Sequence, residues 1–149
     1  MRLTSKGRYA VMAMADLAAN GGSRRAVPLQ DIAERQQISL SYLEQLFARL
    51  RRAGLVTGMR GPGGGYRLAR TAADMAVADI VDAVNEPIKA TRCKEGSNKG
   101  CLGNEGRCIA HDLWEELGRH IHGFLSSVSL EDVIERRVGD GDRARVAAE

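Results

Sequence analysis

Residues 39–66 read SLSYLEQLFARLRRAGLVTGMRGPGGGY, a helix pattern that runs directly into a hairpin pattern. Apolar side chains recur every three or four residues in its first half, which predicts an amphipathic helix over residues 39–54. Ser39 is a suitable N-cap, and Gly54 lies just past the expected end. Two short strand-like runs then flank a turn of glycine and proline, which predicts a β-hairpin with a flexible tip.

Two more helices are predicted before this stretch. Residues 5–20 carry one apolar stripe of helical period and stop at a pair of glycines, and residues 28–36 form a second short helix with Pro28 in its first turn. Three helices followed by a glycine-tipped hairpin is the order of a winged helix-turn-helix. We therefore expect a mainly α fold with a small β-hairpin, and we assign residues 1–75 to a DNA-binding domain.

The third helix and the hairpin offer side chains that suit DNA. Glutamine can pair with adenine, glutamate can accept from cytosine, and arginine can contact phosphates or enter a narrow minor groove. Glycines at the tip allow close approach of the backbone, although a merely tight turn is the alternative explanation. The candidate DNA-binding residues are Ser41, Tyr42, Glu44, Gln45, Arg49, Arg51, Arg52, Arg60, Gly63 and Gly64. Among them, Arg49, Arg51 and Arg52 are predicted to contact phosphates.

Charge is distributed unevenly along the 149 residues. Residues 1–75 hold 12 Lys and Arg against 5 Asp and Glu, whereas the net charge of the whole chain is only +3. A basic N-terminal half favours a polyanionic partner, with a solvated basic face as the alternative. The sequence contains no apolar run that suits a membrane span or a signal peptide, so we expect a cytoplasmic protein. It also lacks a hydrolytic triad, a P-loop and a dinucleotide fingerprint, which argues against an enzyme.

The C-terminal half predicts a different role. Helices are expected over residues 76–84, 112–128 and 129–137, and residues 138–149 are expected to be a disordered tail. The longest of these helices spaces Leu113, Leu117, Ile121, Phe124 and Val128 almost as a heptad seam, which suits packing against another helix. We therefore predict a homodimer, and we assign residues 76–137 to a metal-binding loop and dimerisation helices.

All three cysteines and one histidine fall within residues 93–111, CKEGSNKGCLGNEGRCIAH, which we call the cysteine loop. Thiolates suit iron–sulfur clusters, zinc and copper(I). Zinc sites generally use closely spaced pairs of cysteines, whereas these cysteines are separated by long, glycine-rich intervals that could wrap a larger object. The residues alone leave an iron–sulfur cluster, zinc and a thiol redox switch as alternatives.

Long strings of this chain, MRLTSKGRYAV, ISLSYLEQLFARLR and MRGPGGGY, together with ATRC and CIAHDLW, resemble the IscR family of iron–sulfur cluster regulators. These are dimeric bacterial transcription factors. The resemblance implies a 2Fe–2S cluster, supplied by the iron–sulfur assembly machinery, whose ligands would be Cys93, Cys101, Cys108 and His111. The interval from Cys93 to Cys101 is a little longer than is usual in the family.

The same resemblance implies a function. Ser41, Glu44 and Gln45 would read bases, and Arg60 would serve in the wing. The dimer would bind near-palindromic operators and chiefly repress genes for iron–sulfur assembly, with cluster occupancy changing which DNA sites are selected. Glu44 would reject one class of operator in the unliganded protein. The alternative function is a zinc-stabilised or thiol-redox winged-helix protein without a cluster.

Overall fold

A computed structural model describes residues 4–86, 90–91, 100–102 and 106–139. Cys93 and residues 140–149 of the predicted tail lie outside the described residues. The helices are α1 (Ser5–Asn20), α2 (Leu29–Gln36), α3 (Leu40–Arg52), α4 (Val77–Ala83), α5 (His111–Ser127) and α6 (Leu130–Ile134). The strands are β1 (Val56–Met59) and β2 (Gly65–Leu68), and a 3-10 turn covers Ala72–Asp74.

The predicted fold class, mainly α with one β-hairpin, is confirmed. The bounds of α1 agree with the prediction, and Ser39 caps α3 by accepting a hydrogen bond from the backbone N–H of Tyr42 at 3.2 Å. The last helix is shorter than predicted. It ends at Ile134 because Arg136 adopts a left-handed conformation, with φ 57°, and the chain turns back. The 3-10 turn was not predicted.

The core is built around α1. Its buried face includes Met14 and Leu17, and these side chains share one cluster with Leu43 and Phe47 of α3. Fully burying such a side chain contributes roughly 1.5–3 kcal/mol. Leu130 of α6 belongs to the same cluster, as do Ile80 and Val84 near the end of α4. The position of α3 therefore depends on elements that lie on both sides of the cysteine loop.

The hairpin is anchored to the segment between α1 and α2. Its strands are antiparallel, with Met59 opposite Gly65 and Val56 opposite Leu68. Val27 exchanges two backbone hydrogen bonds with Tyr66, at 2.8 and 2.9 Å, and so adds a bridge to β2. At Gly65 φ is 142°, and a Cβ placed there would overlap the carbonyl of Val27. This close approach holds the wing against the body of the protein.

A smaller apolar cluster joins α4 to the end of α5. Val128 packs here against Val77 and Val81. The last member of the predicted heptad-like row is therefore buried within its own chain rather than presented to a second helix. Among the described residues, none of the helices is long and apolar enough to cross a membrane.

Candidate functional site

Three of the predicted base readers lie on one exposed face of α3, which we call the reader helix. Ser41, Glu44 and Gln45 are exposed, because Leu43 and Phe47 turn the opposite face into the core. Positions separated by three and four residues share a helix face, so these side chains form one continuous polar surface. That surface supplies hydrogen-bond donors and acceptors of the kind that read base edges.

Two other predicted DNA-binding residues on the reader helix have partners inside the protein. Tyr42 is half-buried and packs edge-on against the ring of Tyr9, with ring centroids 5.9 Å apart. Arg49 is also half-buried, and its Nη1 donates to the carbonyl oxygen of Val84 at 2.9 Å. Local sequence patterns could not reveal either partner, because they come from α1 and from the end of α4.

The remaining candidates lie at the end of α3 and in the wing. Arg51 and Arg52 are exposed in the last turn of α3, and Arg60 and Gly63 are exposed at the tip of the hairpin. Gly64 is half-buried, and a Cβ there would come within 2.6 Å of the Met59 carbonyl oxygen. The tip thus folds tightly around its glycines while its arginine faces solvent.

The cysteine loop brings a thiol and an imidazole together. The Sγ of Cys101 lies 3.0 Å from Nδ1 of His111, which is the first residue of α5 and only 7% exposed. The backbone N–H of His111 donates to the carbonyl oxygen of Cys108 at 3.0 Å. Two predicted ligands are therefore in contact, and the third is joined to them through the backbone. The fourth, Cys93, lies outside the described residues.

A pair of glycines lets two parts of this loop approach. A Cβ on Gly100 would overlap the carbonyl oxygen of Gly106, and the N–H of Leu102 donates to the same oxygen at 3.4 Å. Cys101 directly follows the first glycine, and Cys108 follows the second by two residues. Position 100 therefore needs glycine because any larger residue would collide with the backbone of Gly106.

Carboxylates lie on the other side of the imidazole. Oε2 of Glu115 is 3.9 Å from Nε2 of His111, and ligand atoms of His111, Asp112 and Glu115 all lie within 4.8 Å of one another. Sequence reasoning missed Asp112 and Glu115, although their spacing on a helix that begins at His111 could have indicated them. A thiol and a ring nitrogen that converge, with a carboxylate near the second nitrogen, fit an iron or zinc centre.

Comparisons with known proteins extend this description. A family model described as Rrf2, an iron-dependent transcriptional regulator, matches residues 3–136. The HTH-type transcriptional regulator IscR of Photorhabdus laumondii is 56% identical over 134 residues, which cover 90% of this chain and 79% of that protein. A putative HTH-type transcriptional regulator of Azotobacter vinelandii is 56% identical over 136 residues, covering 91% of this chain and 80% of that protein.

Solved structures agree with these sequence relatives. The structure of T. potens IscR has a TM-score of 0.72 and 36% identity, covering 92% of this chain and 88% of that one. CymR, the global cysteine regulator of B. subtilis, has a TM-score of 0.73 and 30% identity, covering 91% of this chain and 98% of that one. The relatives are named as transcriptional regulators and not as enzymes, which confirms the predicted class of protein. The chain belongs to the Rrf2 family of iron-dependent transcriptional regulators.

Proposed function

We propose that this regulator senses iron–sulfur clusters in the cytoplasm and binds near-palindromic operators as a homodimer. It chiefly represses iron–sulfur assembly genes, and it receives its cluster from the assembly machinery. The IscR relatives and the iron dependence of the family support this proposal. The observation that carries it is the 3.0 Å approach of the Cys101 thiol to the His111 ring, because such a pair of donors is suited to one iron.

The proposed ligands of a 2Fe–2S cluster are Cys93, Cys101, Cys108 and His111. A bound cluster supplies a centre whose presence or absence reports the state of cluster supply. Because a neutral imidazole also binds protons, ligation through His111 is expected to be weaker and more dependent on pH than ligation through a fourth thiolate. The burial of His111 and the carboxylate of Glu115 near its second nitrogen hold the ring in place.

The reader helix and the wing would bind the operator. Ser41, Glu44 and Gln45 contact base edges, and the exposed Arg51, Arg52 and Arg60 neutralise phosphates or enter the minor groove. Tyr42, which is half-buried, adds a further contact to the DNA, and Gly63 and Gly64 let the tip approach the DNA backbone. The negative charge of Glu44 is repelled by phosphates and by hydrogen-bond acceptors on the bases. Operators that place such groups next to Glu44 are therefore rejected.

Homodimerisation would place two reader helices on two half-sites. Large apolar side chains on α5 remain exposed in the single chain: Leu113 is 62% exposed and Phe124 is 45% exposed. Leu117 and Ile121, in the same heptad-like row, are half-buried. Packing of two such rows would remove this surface from water, and a two-fold dimer reads half-sites about one helical turn apart.

The protein purified without oxygen tests the ligand assignment. We expect a brown solution with visible charge-transfer absorption and equal amounts of iron and acid-labile sulfide. Cys93→Ser, Cys101→Ser, Cys108→Ser and His111→Ala should each lose most of both. His120→Ala is the matched control, because His120 lies on the same helix with a side chain that is 73% exposed. Colourless, zinc-containing protein would instead establish the zinc-stabilised alternative. Metal-free protein whose DNA affinity changes with oxidant would establish the thiol redox switch.

A further inference from the structure

We infer that Arg49 is a positioning residue, whose hydrogen bond to Val84 holds the reader helix against the turn that precedes the cysteine loop. The inference rests on the proposed function, since it assigns the route by which the loop acts on DNA reading. The sequence pattern predicts a phosphate contact for Arg49, as for its neighbours Arg51 and Arg52. The structure instead gives its guanidinium an internal partner 2.9 Å away.

The turn that receives Arg49 is geometrically well defined. Val84 is the C-cap of α4, and Asn85 follows in the left-handed conformation with φ 55°, which asparagine adopts more readily than most residues. The N–H of Asn85 donates to the carbonyl of Asp82 at 3.0 Å, and that of Glu86 donates to Val81 at 3.4 Å. This is the Schellman pattern of helix termination, and it directs the residue after the turn back toward α1.

Glu86 attaches the same turn to the start of α1. Glu86 is only 6% exposed, and its carboxylate accepts hydrogen bonds from the backbone N–H groups of Thr4 and Gly7. The first N–H groups of a helix have no partner within the helix, and the positive end of the helix dipole attracts an anion. A Cβ on Gly7 would overlap the Glu86 carboxylate, so the contact requires glycine at that position.

Arg49 attaches the turn to the reader helix. The backbone of Val84, whose side chain is fully buried, offers one of the terminal carbonyls that α4 leaves without an internal partner, and a cation is favourable at that end of a helix. A third contact reaches α5, where Nε2 of His122 lies 3.3 Å from Oδ2 of Asp82. Residues 82–86 therefore join α1, the reader helix and α5, and the chain continues from them toward Cys93.

This arrangement makes displacement of the turn consequential for DNA. Because Val84 and Glu86 are only two residues apart and are bonded to α3 and α1 respectively, a shift of the turn changes the relation of α1 to α3. A guanidinium that instead clamped a DNA phosphate would have to leave its bond to Val84. The two roles of Arg49 thus predict different dependences of DNA affinity on salt.

The first test measures DNA affinity of the metal-free protein. The DNA is a duplex that the wild-type protein has enriched from random sequences. Arg49→Ala should weaken DNA binding by about tenfold, which is within the usual range for coupling between two sites of a protein. The slope of log affinity against log salt concentration should stay unchanged. Arg52→Ala is the comparison, because removing an exposed arginine from one DNA phosphate should reduce the magnitude of that slope by about 0.9. A reduced slope for Arg49→Ala, or undiminished affinity, would overturn the inference.

The Glu86→Gln variant provides a second test with the same duplex. If the two side chains act through one turn, the double variant Arg49→Ala/Glu86→Gln should lose less affinity than the product of the single losses. Independent, multiplicative losses would contradict a shared turn. Thermal melting shows whether each variant folds, and if Glu86→Gln does not, the salt slopes of Arg49→Ala decide alone.

Protein loaded with iron and sulfide separates this inference from the proposed function. If the wild type shows equal DNA affinity with and without the cluster, cluster sensing is wrong, while the metal-free measurements still decide the role of Arg49. If the wild type does respond to loading, Arg49→Ala should bring the ratio of the two affinities toward one. If the ratio of the two affinities is the same in Arg49→Ala as in the wild type, the inference is wrong, while cluster sensing still stands.

Discussion

Arg35 of α2 forms a bidentate ion pair with Asp16 of α1. Its Nε lies 3.0 Å from Oδ2 and its Nη2 lies 2.7 Å from Oδ1. Gln36 donates to the same carboxylate at 2.8 Å, and Asp16 is only 6% exposed. This ion pair therefore links α1 to α2, the helix that leads directly into α3.

Replacing the charge at this pair should destabilise the fold. Asp16→Asn keeps the size of the side chain but loses a charged acceptor for three donors, so we expect the free energy of unfolding to fall by about 2 kcal/mol. Glu34→Gln, an exposed change on α2, should alter it by less than about 0.5 kcal/mol. Urea unfolding followed by circular dichroism measures both, and equal stabilities of the two variants would contradict the assignment.

The same variant gives a pH signature. Burial alone would raise the pKa of Asp16, but the hydrogen bonds from Arg35, Gln36 and Asn20 and the charge of Arg35 outweigh it, so the pKa lies below its usual 3.8. The stability due to this carboxylate is therefore present above pH 3.8 and is lost as the pH falls through the lower folded value. The difference between wild type and Asp16→Asn should shrink only at such acidic pH, and a difference that grows there would be the wrong sign.

Glu44 should control the choice among operators. The Glu44 side chain is exposed on α3, so if it rejects one class of operator as proposed, Glu44→Ala is expected to bind those sequences and so to relax discrimination. Gln45→Ala is the matched control on the same face, and losing a base contact should weaken preferred sites by about 1–3 kcal/mol. Salt-matched binding to duplexes from both classes measures the effect, and unchanged selectivity of Glu44→Ala would remove this role.

Gly65 should be required for docking of the wing. Gly65→Ala introduces a Cβ that overlaps the Val27 carbonyl at an unfavourable φ, so we expect a loss of about 2 kcal/mol in unfolding free energy together with weaker DNA binding. Gly58→Ala, in the opposite strand, places its Cβ in ordinary contact 3.6 Å from the Tyr66 ring. It should therefore be nearly neutral, and similar behaviour of both variants would argue against the docked wing.

Gly100 should affect retention of the metal centre. Gly100→Ala forces the backbone away from Gly106 and so disturbs the approach of Cys101 to His111. We expect less iron per chain after purification without oxygen, with little change in the melting temperature. Gly123→Ala is the control, because a Cβ there meets nothing within 4 Å. If Gly100→Ala retains as much iron as the wild type, the close approach of Gly100 to Gly106 is dispensable.

Phe124 should belong to the dimer interface. Its side chain is 45% exposed in the single chain, so Phe124→Asp should leave the monomer folded while placing a charge within the apolar row. Sedimentation velocity is expected to show a shift from dimer to monomer. Arg119→Asp adds the same side chain on another side of α5, away from the row, and should remain dimeric. A dimer that survives Phe124→Asp would place the interface elsewhere.

The helices of the N-terminal half could be predicted because their signals are local. The apolar stripe of α3, its cap at Ser39 and the glycine after its end all act within a few residues of one another. Because that stripe is buried, Ser41, Glu44 and Gln45 on the other side of α3 are exposed. The 3-10 turn over Ala72–Asp74 was missed, since three residues are too few to show a period. The end of α6 was missed because it depends on one backbone conformation at Arg136.

The resemblance to the IscR family implied that Cys101 and His111 belong to one ligand set, whereas their contact, and the close approach of Gly100 to the backbone of Gly106 beside it, come from the folded loop. Likewise, nothing near Arg49 in the chain indicated that its donor would reach Val84 rather than face solvent. Helical period, capping and turn chemistry act between near neighbours, so the sequence by itself determined the elements and the kinds of side chain that they expose. Which distant residues share a bond depends on how the elements pack, and that only the tertiary structure decided.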